Sequence, residues 1–184
     1  MSMRDKPIRR IVTVDEADGR SKALSAGPVL DIGGDPARPG YASSHIWAAG
    51  INPLGTGART VQVHNTIEPP PKGSVCRIIT FPPDAVYAGK VGAREVGAFF
   101  AAAGSPAAST YSPKAPHPYM QKTRTLDFCL VLEGSVTLIL DTQEVHLEAG
   151  DTVIQRGANH AWSNRSSEPC VIAFTLIDAT DEES

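Results

Sequence analysis

The chain has no apolar run near the ~20 residues that a membrane-spanning helix needs. It has no cluster of Lys and Arg and only three cysteines among 184 residues. Each shortage excludes something. Without an apolar run, no membrane partner is expected. A net charge of −3 with no basic stripe leaves no footprint for nucleic acid. The N-terminus, MSMRDKPIRR, is basic but leads into IVTVDEADGR rather than an apolar signal core, so a cytoplasmic location is expected. Cys76, Cys129 and Cys170 lie in apolar runs such as VCRIITF and PCVIAF. An odd number of thiols in such runs reads as buried and reduced, not as a disulfide framework or a cysteine metal site.

What the chain does have is turn chemistry: 16 glycines and 15 prolines. Many short strands joined by turns suit that composition better than a helical bundle. The length fits one well-buried core with extensions. Residues 1–74 hold short β-like runs (IRRIVTV, SKALS, SSHIWAA, RTVQVH) broken by DIGGDPARPG and NPLGTG. They are too interrupted for a core of their own. They read as an N-terminal β arm that packs on the main body or on a partner subunit.

The main body spans 75–178. It starts with VCRIITFPP, a strand closed by two prolines, and carries an insertion over 84–117. Within the insertion AREVGAFFAAAG predicts one short helix, with Val96, Phe99 and Phe100 on one face and Gly104 as its stop. The loop after it, SPAASTYSPKAPHP, is expected across the mouth of the fold. From Met120 to Asp178 the runs LDFCLVL, SVTLILD, QEVHLEAG, DTVIQ, HAWSN and PCVIAFTLID recur at roughly ten-residue spacing, the pattern of an antiparallel sandwich or barrel. Glu133-Gly134 predicts a tight hairpin, with Gly134 at positive φ, and Gly150-Asp151 a second turn. Residues 179–184 make an acidic tail that is expected to fray.

LDFCLVLEGSVTLILD followed by LEAGDTVIQRGANHAWSN resembles the paired motifs of the cupin superfamily. In that family two histidines one residue apart precede an acid and a hairpin glycine, and the second motif runs from Gly-Asp to a third histidine and an asparagine. Asp127 takes the acidic place, Gly134 the glycine, Gly150-Asp151 the second opening, His160 the third histidine and Asn164 the asparagine. QRGANHAW also resembles a subgroup of single-domain cupins with an N-terminal strand extension. The resemblance covers about a third of the chain. It implies an all-β fold, an antiparallel double-stranded β-helix or jelly-roll, with an N-terminal β extension and one short helix.

The departures bear on chemistry. Gln121 and Thr123 stand where metal-binding cupins have their two histidines; the subgroup's His-Arg-Thr-Asp-Thr-Ile-Asp-Tyr is QKTRTLDF here, so Arg124 also replaces an acid. Iron, manganese, nickel and zinc sites rely on imidazole and carboxylate donors, and an amide oxygen is poorer. The resemblance leaves Asp127, His160 and Gln121 as metal candidates, holding a divalent ion (Zn, Ni, Fe or Mn) at low occupancy or none.

Strand parity puts Asp127, Cys129 and Val131 on one face and His160, Trp162 and Asn164 on another. If Asp127 and His160 both face inward, they meet across the barrel. Two readings stay open: a carboxylate orienting a catalytic imidazole, or a buried His–Asp hydrogen bond that merely satisfies both groups. Gln121, Thr123, Arg77, Tyr119 and Trp162 are the candidate ligand contacts. Arg77, inside an apolar strand, either snorkels at an edge, the default, or holds a carboxylate at the pocket. Tyr119 and Trp162 line a pocket or simply fill the core. His117, flanked by prolines, reads as an exposed or capping loop residue. His45, His64 and His146 have no acidic partner at ligand spacing and read as structural or exposed.

The function implied is a barrel with one small-molecule pocket. It acts on, or binds, a small organic acid or an aromatic or ketone metabolite by non-redox chemistry of decarboxylase, isomerase or lyase type. The alternative is a catalytically silent binder with a degenerate metal site. A homodimer is expected from the arm, whose added edge strand invites pairing.

Overall fold

A computed structural model of the protein describes residues 6–50 and 66–179. The predicted run RTVQVH, His64 and the last five residues of the acidic tail lie outside the described residues. Among the described residues are eleven strands and one α-helix, besides short 3-10 turns: β1 (Arg9–Asp15), β2 (Ser21–Pro28), β3 (Ile32–Gly34), β4 (Ala42–Ala49), β5 (Ser74–Phe81), α1 (Ala93–Ala102), β6 (Thr125–Glu133), β7 (Ser135–Leu140), β8 (Glu144–Glu148), β9 (Thr152–Arg156), β10 (His160–Ser163) and β11 (Cys170–Asp178).

The fold is the expected all-β jelly-roll. One sheet has six strands in the order β3-β4-β5-β11-β6-β9, and the facing sheet has three, β10-β7-β8. All the described pairings are antiparallel. Alternation drives this arrangement. In β6, Thr125, Asp127, Cys129 and Val131 are buried while Phe128 and Leu130 face out, the period-two pattern of a strand with one face on a core. Between the sheets Val75, Phe81, Val131, Val136, Leu138, Trp162, Ile172 and Phe174 form the main core.

The arm does two different things. β3 and β4 extend the large sheet through the β4–β5 pairing. β1 and β2 form a separate two-stranded hairpin, held to β4 by the Arg10 guanidinium, which donates to the Ile46 carbonyl at 3.1 Å and lies over Trp47.

One expectation needs correction, and the turn expected at Gly150-Asp151 is present. Glu133-Gly134 is not a hairpin: β6 belongs to the six-stranded sheet and β7 to the three-stranded one, so the chain turns a corner between sheets at Gly134. Its φ is +81°, and a Cβ there would lie 2.8 Å from the Pro169 carbonyl oxygen; positive φ and close backbone both demand glycine. Gly150-Asp151 is a second corner of this kind, pinned by Gly150 N–H to the Val131 carbonyl at 2.8 Å and Val131 N–H to the Asp151 carbonyl at 3.0 Å. The hairpin of this region joins β7 to β8, closed by Leu140 N–H to the Gln143 carbonyl at 2.9 Å.

The helix forms as predicted. Glu95 reaches back to the Gly92 N–H at 3.1 Å, and Gly104, at φ +63°, ends it. Val96 and Phe100 are fully buried and join Tyr87, Ala108 and Tyr119 in a second core. The loop that follows is tied down by Lys122 N–H to the Ala108 carbonyl and Thr110 N–H to the Met120 carbonyl. The end of α1, not this loop, walls the main cavity.

Candidate functional site

A cavity of about 280 Å³ opens between the sheets. β6 brings Asp127, β10 His160 and Trp162, β5 Arg77, Ile79 and Phe81, and β11 Phe174 and Leu176. Gln121, Thr123 and Tyr119, just before β6, also line it. All seven candidate site residues therefore meet at one cavity.

Asp127 is buried, and its Oδ1 has no hydrogen-bond partner. Burial raises its carboxyl to about 6, against a smaller lowering effect from the Thr125 hydroxyl. His160 is equally buried, and burial pulls its imidazole below the ordinary value, so the ring is neutral near pH 7. Nδ1 lies 2.9 Å from the Ala158 carbonyl, an acceptor only, so Nδ1 carries the proton. The Nε2 lone pair is then left to accept from the Gln121 amide at 3.3 Å. Both ring nitrogens are engaged, and the direct Asp127–His160 hydrogen bond of either sequence reading is not formed. Gln121 is the residue that orients the imidazole, and paired backbone bonds between residues 121 and 160 fix its place.

A metal fits this set poorly. Asp127 offers one carboxylate oxygen and His160 a lone pair already taken by an amide. Among the described residues no group of three or more His, Cys, Asp or Glu side chains could hold an ion, and a stable site normally supplies three or more protein ligands.

Arg77 corrects the snorkelling default. β5 lies between β4 and β11 rather than at an edge, and Arg77 is 6% exposed. Its Nη2 donates to the Thr66 carbonyl, while Nε has no partner. Burial lowers its pKa, so holding the charge there is costly. His117 is also buried rather than exposed. Its Nδ1 accepts the Tyr119 N–H at 3.2 Å, and Nε2 sits 3.4 Å from the Tyr87 hydroxyl and 3.7 Å from Asp84. It packs against Tyr87 and Tyr119 of the second core and does not line the cavity. His45 does have an acidic partner, Asp31 at 3.2 Å, brought from beyond ligand spacing by the β3–β4 turn. Asn164 is a fastener rather than a site residue: its amide donates to the Phe81 and Glu168 carbonyls. The three cysteines are free thiols, with Cys129 and Cys170 buried and Cys76 only partly so.

Sequence reasoning missed Arg38, Tyr41, Ser43 and Phe99, which line the same cavity. Arg38 lies in DPARPG, a stretch whose composition announces only a turn. The turn carries it inward: Arg38 is 4% exposed, and its Nε donates to Asp35 at 2.7 Å. Tyr119 donates its hydroxyl to that same Asp35 oxygen at 2.9 Å.

The cupin-domain family model matches residues 109–177. The chain carries a cupin domain. This cupin is similar over 48 residues to phomopsin biosynthesis cluster protein C' of Diaporthe leptostromiformis, at 46% identity, covering 26% of this chain and 25% of that protein. Over 64 residues it is 42% identical to oryzines biosynthesis cluster protein J of Aspergillus oryzae, covering 34% of this chain and 36% of that one. The similar stretch thus spans about a quarter to a third of the length of these curated relatives. Similar solved structures include the Cnp3 cupin domain of Schizosaccharomyces pombe (TM-score 0.46, 6% identity, 92% of this chain and 87% of that one). Another is a cupin 2 conserved barrel domain protein of Salinispora arenicola (TM-score 0.39, 13% identity, 76% of each chain).

Proposed function

We propose that this cupin takes a small organic acid into its barrel cavity and exchanges a proton with it through Asp127, without redox chemistry. The observation that carries the reading is the Asp127 carboxyl: buried, lining the cavity, and with Oδ1 free of any partner. A carboxyl raised to about 6 changes protonation state near neutral pH, where a general acid or base works best. Above that value it takes a proton from a carbon or hydroxyl acid of the substrate; the acid so formed returns the proton at a second position. Proton abstraction beside a carbonyl, isomerisation and elimination all draw on this one exchange. Neutral His160, held by Ala158 and Gln121, is a positioning and lining group in this scheme rather than the proton carrier. Relatives whose names place them in biosynthesis clusters support a small metabolite as the ligand.

The test is solvent exchange. A panel of small carboxylic acids is incubated with the protein in D2O, and deuterium entering carbon positions is followed by NMR for wild type and Asp127→Asn. Incorporation with wild type that disappears with Asp127→Asn supports the proposal. Exchange that survives the substitution, or none with any acid, overturns it. The second outcome favours binding without turnover, a reading that draws its own support from Gln121 occupying the His160 lone pair.

A further inference from the structure

Two buried guanidinium groups line the end of the cavity built by β4, β5 and the turn before β4. The Arg38 guanidinium lies 3.6 Å from the ring centre of Tyr119, 4.0 Å from Tyr41 and 4.3 Å from Phe99. Three aromatic faces and the Asp35 carboxylate hold it in one orientation, so little freedom remains to be lost on binding. Its Nη2 has no hydrogen-bond partner. Arg77 is in the same condition at Nε. Burial pushes the Tyr41 phenol up, and the positive charges of both arginines pull against that rise, so both stand near its hydroxyl. Asp35 compensates Arg38; the charges of Asp31, which is paired with His45, and of Glu68 also reach Arg77, without outweighing its burial.

We infer that Arg38 and Arg77 form a carboxylate-binding subsite, the anchor that fixes an acid ligand with its reactive end toward Asp127. Each guanidinium keeps one donor unused, and charge-assisted bonds from guanidinium to carboxylate are the strong ones. The register supplies the reach. Arg77 pairs with Phe174, which pairs with Cys129; Asp127 is two residues from Cys129 on the same face. Two strand spacings across and two residues along put the Arg77 and Asp127 backbones roughly 12 Å apart. The long Arg77 side chain and the short Asp127 one leave a gap the size of a small molecule. Its floor is Ile79, Phe81, Phe174 and Leu176, apolar surface for the body of the acid. At about 30 Å³ per water, the cavity has the room of roughly nine waters, which suits an acid of benzoate's size.

This inference rests on the cavity being the ligand site, but not on Asp127 transferring protons. The experiment uses the full chain and two matched pairs of probes, benzoate with benzamide and butyrate with butyramide. Binding is measured by saturation-transfer NMR and calorimetry for wild type, Arg38→Gln and Arg77→Gln. For wild type, at least one carboxylate should bind about tenfold or more tightly than its amide, and either substitution should shrink that ratio to below about threefold. Equal affinity for acid and amide in wild type, or binding of neither member of both pairs at about 10 mM, overturns the subsite. The wild-type comparison needs no variant to fold. Charge discrimination without deuterium exchange would leave the anchor standing and remove only the proton chemistry.

Discussion

Asp127→Asn should make the ligand-free protein more stable at neutral pH. A carboxyl ordinarily ionises at 3.8, and burial raises Asp127 to about 6. That difference of about two pH units corresponds to about 3 kcal/mol at 1.36 kcal/mol per unit. The sign follows from proton counting. Between about pH 4 and 6 the folded state holds a proton that the unfolded chain has released, so stability falls as pH rises. Above 6 the full cost is present; below 3.8 both states are protonated and the cost is gone. Asn keeps the shape without the charge. The difference in unfolding free energy between variant and wild type should therefore grow by up to about 3 kcal/mol from pH 4 to pH 7.5. Urea unfolding at both pH values measures it, and the difference cancels any constant effect of the amide, as well as the opposing acid-side titration of His160. A gap that is flat with pH, or that shrinks toward pH 7.5, would refute the account of Asp127 as a buried, uncompensated carboxyl.

Gly134→Val should cost about 1–3 kcal/mol, because φ is +81° and the new side chain meets the Pro169 carbonyl. Thermal or chemical unfolding checks it, with Gly19→Ala, also at positive φ (+79°) but in open space, as the control for backbone strain alone. Metal should be substoichiometric in protein purified without a chelating tag, and chelator should leave the melting temperature unchanged; Gln121→His should raise zinc or nickel affinity by supplying a second imidazole. Elemental analysis decides both points, and full occupancy in wild type would overturn the first. A homodimer is expected at tens of micromolar protein, a concentration ordinary for such interfaces; sedimentation equilibrium showing a monomer would count against it.

The fold was legible because its signals are local. Period-two burial in β6, proline closure of β5 and glycine at the sheet corners can all be read residue by residue. What the residues could not say is which strands pair. Gly134 therefore suggested a hairpin, although a strand that switches sheets asks the same of its corner residue. The cavity was half legible. Asp127, Gln121 and His160 come from the motif-bearing strands, where parity decides the facing side. Arg77 stands out in its apolar strand, but its burial does not, since whether β5 is an edge depends on the arm adding β4 to it. Arg38 had no signal at all. An arginine in a Pro/Gly turn reads as solvated, and only the tertiary placement of Tyr41, Phe99 and Tyr119 makes it interior.

The strongest link between structure and function is where the unpartnered groups fall. Arg38, Ser43, Arg77, Asp127 and Trp162 each have a buried polar atom without a hydrogen-bond partner, and all five line this cavity, while Gln155 is such a group away from it. A buried polar atom left unsatisfied costs about 1–3 kcal/mol. Five of them amount to roughly 5–15 kcal/mol, as much as the whole net stability of an ordinary domain. A core selected for stability alone would replace them with apolar residues of similar volume, often at no loss. Their retention at one place follows if partners arrive there from outside the chain. Water in the free protein can meet some of the demand, but it does not use a donor pair at one end and an acid at the other. A small carboxylic acid uses both, which is why charge, more than size, should decide what this cavity accepts.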